Sequence, residues 1–86
     1  MKDGLHTNEH GDKSWYLNSK LHKSDGPAIE YANGSKIWWF HGLLHRTDGP
    51  AVIRANGTNA WYLHGKEYTQ DEFILMTSKF WQKVSL

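Results

Sequence analysis

The segment LHKSDGPAIEYANGSKIWWFHG, residues 21–42, returns as LHRTDGPAVIRANGTNAWYLHG, residues 44–65, with 12 of 22 positions identical. The offset is 23 residues, and Trp15, Trp38 and Trp61 keep it. So do Gly11, Gly34 and Gly57, then Asn18, His41 and His64, then Asp25, Asp48 and Asp71. A unit this short cannot bury an apolar face by itself, so successive copies must stack and share one core. The first copy is worn: Asp3-Gly4 matches Asp25-Gly26 if one residue is missing before Gly11. Three units then run approximately from 3 to 24, 25 to 47 and 48 to 69, inside a single domain covering 1–86.

Each unit reads as strand, tight turn, strand. Pro27 and Pro50 follow Asp-Gly, a place where proline is tolerated at a strand entry. The stretches AIEYA and AVIRA run into Asn33-Gly34 and Asn56-Gly57, and Asn-Gly is a hairpin signal because both residues accept positive φ. The return segments SKIWWF and TNAWYL suit a pleated surface. His41-Gly42 and His64-Gly65 mark the next reversal. Alternation then splits each return strand into two faces. Trp15, Leu17, Trp38, Phe40, Trp61 and Leu63 share one face, which is the expected core. Tyr16, Trp39 and Tyr62 share the other, behind Ser14, Ile37 and Ala60. In register, the rings form two ladders.

After Lys66 the pattern changes. Thr69 and Glu72 make a capping box, and Asp71 favours the positive end of a helix. Phe73, Met76, Phe80 and Val84 recur at helical spacing with Leu75 and Trp81 beside them, and no Gly or Pro falls between 70 and 86. The spacing predicts a helix over 70–84 that closes one end or face of the sheet. The expected fold class is mainly β with one C-terminal α-helix, an antiparallel sheet of three stacked 23-residue β-hairpin repeats capped by that helix.

These words carry a resemblance. Leu44-His45-Arg46, Asp48-Gly49-Pro50-Ala51, Asn56-Gly57 and Trp61-Tyr62 with Gly65-Lys66 resemble an array found in small accessory proteins of tailed bacteriophages, and KEYTQDEF, residues 66–73, looks like the usual exit from such arrays into a terminal helix. More distantly, the period and hairpin layout are similar to MORN repeats. That resemblance implies an elongated antiparallel sheet serving as a contact surface. The glycine and tyrosine spacing of MORN repeats is not reproduced, and the resemblance supplies no catalytic residue.

Composition narrows the classes. Ten basic and nine acidic residues, well mixed to a net charge of +1, argue against a duplex nucleic-acid partner, which needs a basic stripe. No apolar run approaches the roughly 18 residues of a membrane span, and MKDGLHTNEHGD has no apolar segment of a secretion signal. With no cysteine, a reducing, cytoplasmic setting is expected, that of an infected host cell if the chain is phage-encoded. Five Trp, four Tyr and three Phe must do the work of disulfide staples.

Six histidines invite a metal, which would need three or four converging ligands. No carboxylate or third histidine recurs beside them, so no metal or other cofactor is expected. Instead His41 and His64 are expected in turns, with His22 and His45 bonding backbone groups between units. Asp25 and Asp48 occupy like environments, which does not split acid from base. Ser14, Ser19, Ser24 and Ser35 lie in no nucleophile motif. An enzyme is the least favoured class.

The Tyr16, Trp39 and Tyr62 row has three readings. It is a second apolar layer beneath the helix, a protein interface, or a stacking platform for a nucleotide-like ligand. The copies differ at Glu30 and Ile53, Tyr31 and Arg54, Lys36 and Asn59, and Trp39 and Tyr62, where local function is expected. The candidate binding residues are Tyr16, Trp39, Tyr62, His41, His64, Tyr31 and Arg54. They fit a noncatalytic binding module that contacts a host protein, with a sequestering protein for a nucleotide-like signal as the alternative. A homodimer would support so small a core.

Overall fold

The computed structural model describes residues 3–77. Among these residues ten short strands precede one helix: β1 (Gly4–Thr7), β2 (Lys13–Leu17), β3 (Lys20–Leu21), β4 (Ile29–Glu30), β5 (Lys36–Ile37), β6 (Trp39–Phe40), β7 (Leu43–Leu44), β8 (Val52–Ile53), β9 (Asn59–Leu63), β10 (Lys66–Tyr68) and α1 (Gln70–Thr77). Every pairing is antiparallel. The main sheet runs β1-β2-β4-β5-β8-β9-β10, with β3 also on β2, while β6 and β7 pair with each other. Backbone bonds stitch that pair to its neighbours: Lys23 N to Trp39 O at 3.2 Å, Gly42 N to Leu21 O at 2.9 Å, and Gly65 N to Leu44 O at 2.7 Å. The principal extents are 52 × 30 × 18 Å, so the molecule is long and flat.

Bonds recur at the sequence period. Trp15 N donates to Ala28 O at 2.8 Å, and Trp38 N to Ala51 O at 2.7 Å. Asp12 Oδ1 accepts the Ala32 amide at 2.8 Å, and Ser35 Oγ accepts the Ala55 amide at 2.9 Å. The Ala32 bond, and then one from Asn8, hold the Asp12 carboxyl below the usual carboxylate value.

The turns differ from expectation in an instructive way. At Asn33-Gly34 and Asn56-Gly57 only the glycine takes positive φ, 96° and 91°. Asn33 Oδ1 instead accepts the Ser35 amide at 2.9 Å, and Asn56 Oδ1 the Thr58 amide at 3.0 Å. Asparagine here caps a longer loop through its side chain. The tight turns with two successive positive-φ residues lie at Asn18-Ser19, His41-Gly42 and His64-Gly65, with φ of 51° at His41 and 50° at His64. Such turns match the twist of the flanking strands, and a branched side chain tolerates that region poorly. His41→Val is therefore expected to cost about 1–2 kcal/mol in urea unfolding, while His41→Asn keeps most of the stability, as Asn18 already holds this conformation in the first copy.

The expected core face is only partly buried, which corrects the sequence reading. Trp15, Trp38, Trp61 and Leu63 are half-buried, and Leu17 and Phe40 are 36% and 39% exposed. The fully covered residues are small ones: Ala28 and Ala51 are 0% exposed. Register explains this, because Ala28 lies between Trp15 and Trp38, and Ala51 between Trp38 and Trp61. Large and small residues thus alternate across the strands, and each of these alanines has an indole as its neighbour on either side. Cations close it from above: Lys23 Nζ is 4.0 Å from the Trp15 ring centroid and Arg46 Cζ 3.8 Å from that of Trp38. Arg46 Nε is held at 2.7 Å by Asp48 Oδ1, and the same bond keeps the Asp48 carboxyl below its ordinary value.

At the third copy Thr69 stands where Lys23 and Arg46 stood, and α1 begins there. The capping box forms as expected: Thr69 N donates to Glu72 Oε1 at 2.9 Å and Glu72 N to Thr69 Oγ1 at 3.1 Å. The helix packs on β9 and β10. The broad apolar stripe is not realised in its described turns, where Phe73 is buried and Ile74, Leu75 and Met76 are exposed. Residues 78–84 of the expected helix, with Phe80, Trp81 and Val84, lie outside the described residues.

Candidate functional site

Alternation along the return strands puts Ile37, Trp39 and Tyr62 on the face opposite the tryptophan row, and cross-strand register adds Tyr31, Leu44, Val52 and Arg54. Together they line a groove of about 400 Å³. Four candidate residues, Tyr31, Trp39, Arg54 and Tyr62, thus meet in one place. They come from positions where the two good copies differ. The groove is apolar at its floor, with Val52 buried and Trp39 half-buried, and polar at its rim through Asn33, Ser35 and Arg54. Trp39 Nε1 is buried without an acceptor. Tyr62 donates its hydroxyl to Glu67 Oε1 over 3.5 Å, a long and therefore weak contact.

Tyr16 stands further along the same face. It meets His6 edge to face at 5.0 Å, and with Ile29 and Tyr31 it lines a smaller depression of about 280 Å³. Tyr31 borders both hollows, so Tyr16 extends the groove without entering it. The described turns of α1 lie elsewhere. Met76 and Thr77 share a cleft with Leu63, His64, Lys66 and Tyr68, and Tyr68 is the cross-strand partner of Trp61. Within the described residues, the helix therefore does not cover the groove.

His41 and His64 are not brought to this face. Each occupies a turn, and its backbone amide donates to the imidazole of an earlier histidine: His41 N to His22 Nδ1 at 2.9 Å, and His64 N to His45 Nδ1 at 3.0 Å. The rings stack as well, with centroids 4.2 Å apart for His22 and His41 and 4.3 Å for His45 and His64. Phe40 sits between the pairs, 4.5 Å from His22 and 5.9 Å from His45. Partial burial, and then the neighbouring His41 or His64, lower His22 and His45 below the ordinary imidazole value of 6.5. His22 and His45 thus bond backbone groups of the next copy, and His41 and His64 occupy turns, the placement expected for them. Among the described residues no three His, Cys, Asp or Glu side chains gather as a metal would require.

Sequence reasoning missed another hollow, of about 600 Å³, between the two DGP loops. It is lined by Lys23, Asp25, Trp38, Phe40, His45 and Arg46, among others. The signal was present: a cation stands eight positions after the tryptophan in both copies, at Lys23 and Arg46. Both cations are committed to their indoles, however, and Arg46 also donates to Pro50 O at 3.1 Å. That hollow is the outside of the core row.

Among the described residues no helix is long and apolar enough to cross a membrane. Comparison with family models, curated proteins and solved structures returned no match in any of the three.

Proposed function

We propose that the chain is a noncatalytic binding module. Its three hairpin units, approximately 3–24, 25–47 and 48–69, act as a MORN-like scaffold, and the Trp39 face grips a protein partner. The observation that carries this reading is the groove itself. Tyr31, Trp39, Arg54 and Tyr62 converge there while the rest of each copy is devoted to turns and bonds between copies. Tyr, Trp and Arg are the residues that dominate binding energy at protein interfaces. The phage-type resemblance of the repeated words makes a protein of the bacterial host the partner class, with an inhibitory or adaptor role in its cytoplasm.

A smaller ligand is the second reading, favoured by one feature. A groove of about 400 Å³ with three aromatic rings and a guanidinium at the rim has the size and chemistry for a nucleotide-like molecule. A second copy of the chain, docked through the same face, is a third candidate.

The decisive variant is Trp39→Ala, used as bait beside the parent chain in host lysate. Its circular dichroism should match the parent, and the captured protein should be lost, with affinity reduced about 30-fold or more. Unchanged capture would remove the groove from the account, and loss of folding would make Trp39 structural. A thermal-shift screen with nucleotides and light scattering on the free protein separate the other two readings, since a ligand of the native state must raise the melting temperature.

A further inference from the structure

We propose that His22 and His45 are acid-operated latches between successive copies. In each, the bare Nδ1 of a neutral imidazole holds the turn amide of the next copy, and a proton taken up at that nitrogen releases it.

The geometry requires the neutral ring. An N–H donor at 2.9–3.0 Å needs a lone pair on Nδ1, so the proton of each imidazole is on Nε2. Protonation makes both ring nitrogens donors, and the His41 or His64 amide then faces another donor. Those amides are not taken by a strand carbonyl, and at these exposed turns water is what replaces the imidazole. At the first turn, Gly42 N, not His41 N, takes the strand carbonyl, that of Leu21, and Gly65 N takes that of Leu44 in the second. The extra amide produced by the positive-φ residue is the one the imidazole collects.

The surroundings oppose a cation at either ring. His22 faces His41 and Phe40, with Lys23 next in its own loop and the Lys20 side chain lying against Gly42. His45 faces His64 and Phe40, shares one cleft with Lys66 and Tyr68, and precedes Arg46. The loop carboxylate Asp48 is taken by Arg46, and Asp25 is exposed on the other loop. The third copy supplies a contrast. Tyr68 holds the histidine position there, and α1 follows in place of another turn to be held.

The sign follows from the direction of the shifts. An unfolded histidine binds its proton near 6.5, whereas folded His22 and His45 resist until lower pH. Stability is therefore complete above about 6.5 and falls as pH drops below it, levelling once the folded rings also protonate.

The test reads the rings directly. Long-range ¹H–¹⁵N spectra of the full chain should show His22 and His45 as Nε2–H tautomers that titrate below 6.5. Hydrogen-exchange protection of the His41 and His64 amides should be lost in step with that titration. In the double variant His22→Asn/His45→Asn, each side-chain oxygen can accept the same amide but cannot titrate. Between about pH 7.5 and 5 the parent melting temperature should drop, and the variant should lose most of that drop. Rings titrating at or above 6.5, an Nδ1–H tautomer, or an unchanged acid response in the variant would each overturn the proposal. If the variant does not fold, the tautomer and titration of the parent rings decide the matter.

Discussion

Trp38→Ala is expected to lower unfolding free energy by about 3 kcal/mol, the largest loss from any single truncation on this face. The magnitude sits at the low end for an aromatic because the indole is only half-buried. Position makes up for exposure. By register the ring lies between Ala28 and Ala51, both now shut off from water, and carries the Arg46 guanidinium 3.8 Å above it. Removing it wets two alanines at once and strands a cation that was stacked on a π face. A domain of this length holds on the order of 0.05–0.15 kcal/mol per residue, so the loss is a large share of the total. Urea titration followed by far-ultraviolet dichroism measures it. A midpoint equal to the parent's would mean that the tryptophan row is not the core.

Ala51→Leu should cost nearly as much, about 2–3 kcal/mol, with no atom removed. The side chain has nowhere to go, because Ala51 is 0% exposed and flanked by Trp38 and Trp61. Accommodating it means lifting one indole off its alanine or breaking the Trp38 N to Ala51 O bond of 2.7 Å. Ala55→Leu is the matched control. Ala55 is exposed, and its contact with Ser35 is made by the backbone amide, which the substitution keeps. That change should stay within about 0.5 kcal/mol of the parent. Thermal melts of the two variants side by side suffice, and equal losses would refute the alternating row.

Much of this was written in the sequence, and what was not has identifiable causes. Alternation in SKIWWF and TNAWYL was enough to separate Trp38 from Trp39, and hence the two faces, because period-2 patterning survives even where β5 and β6 are interrupted between them. The convergence of Tyr31, Trp39, Arg54 and Tyr62 followed from the same pattern plus the differences between copies. His41 and His64 do not join them, because backbone φ near 50° turns those positions into reversals. The core was misjudged for another reason. Which large ring is buried depends on what covers it, and the covers are Lys23 and Arg46, polar by composition and brought back over the rings by the DGP loops. Ala28 and Ala51 gave no hint of their burial, since a methyl group looks alike in a turn and in a core. The Asn-Gly turns were read from φ alone, while the amide side chains of Asn33 and Asn56 made the difference.

The short reach of the hydrogen bonds between copies bears on how the chain assembles. Asp12 meets Ala32, His22 meets His41, and Ser35 meets Ala55, spans of 20, 19 and 20 residues, and the first strand never has to find the last. Loop closure over such distances is a modest entropic step, and topologies dominated by near neighbours in sequence fold fast. Each hairpin needs only its neighbours in sequence to complete its pairing, so order can spread stepwise along the chain.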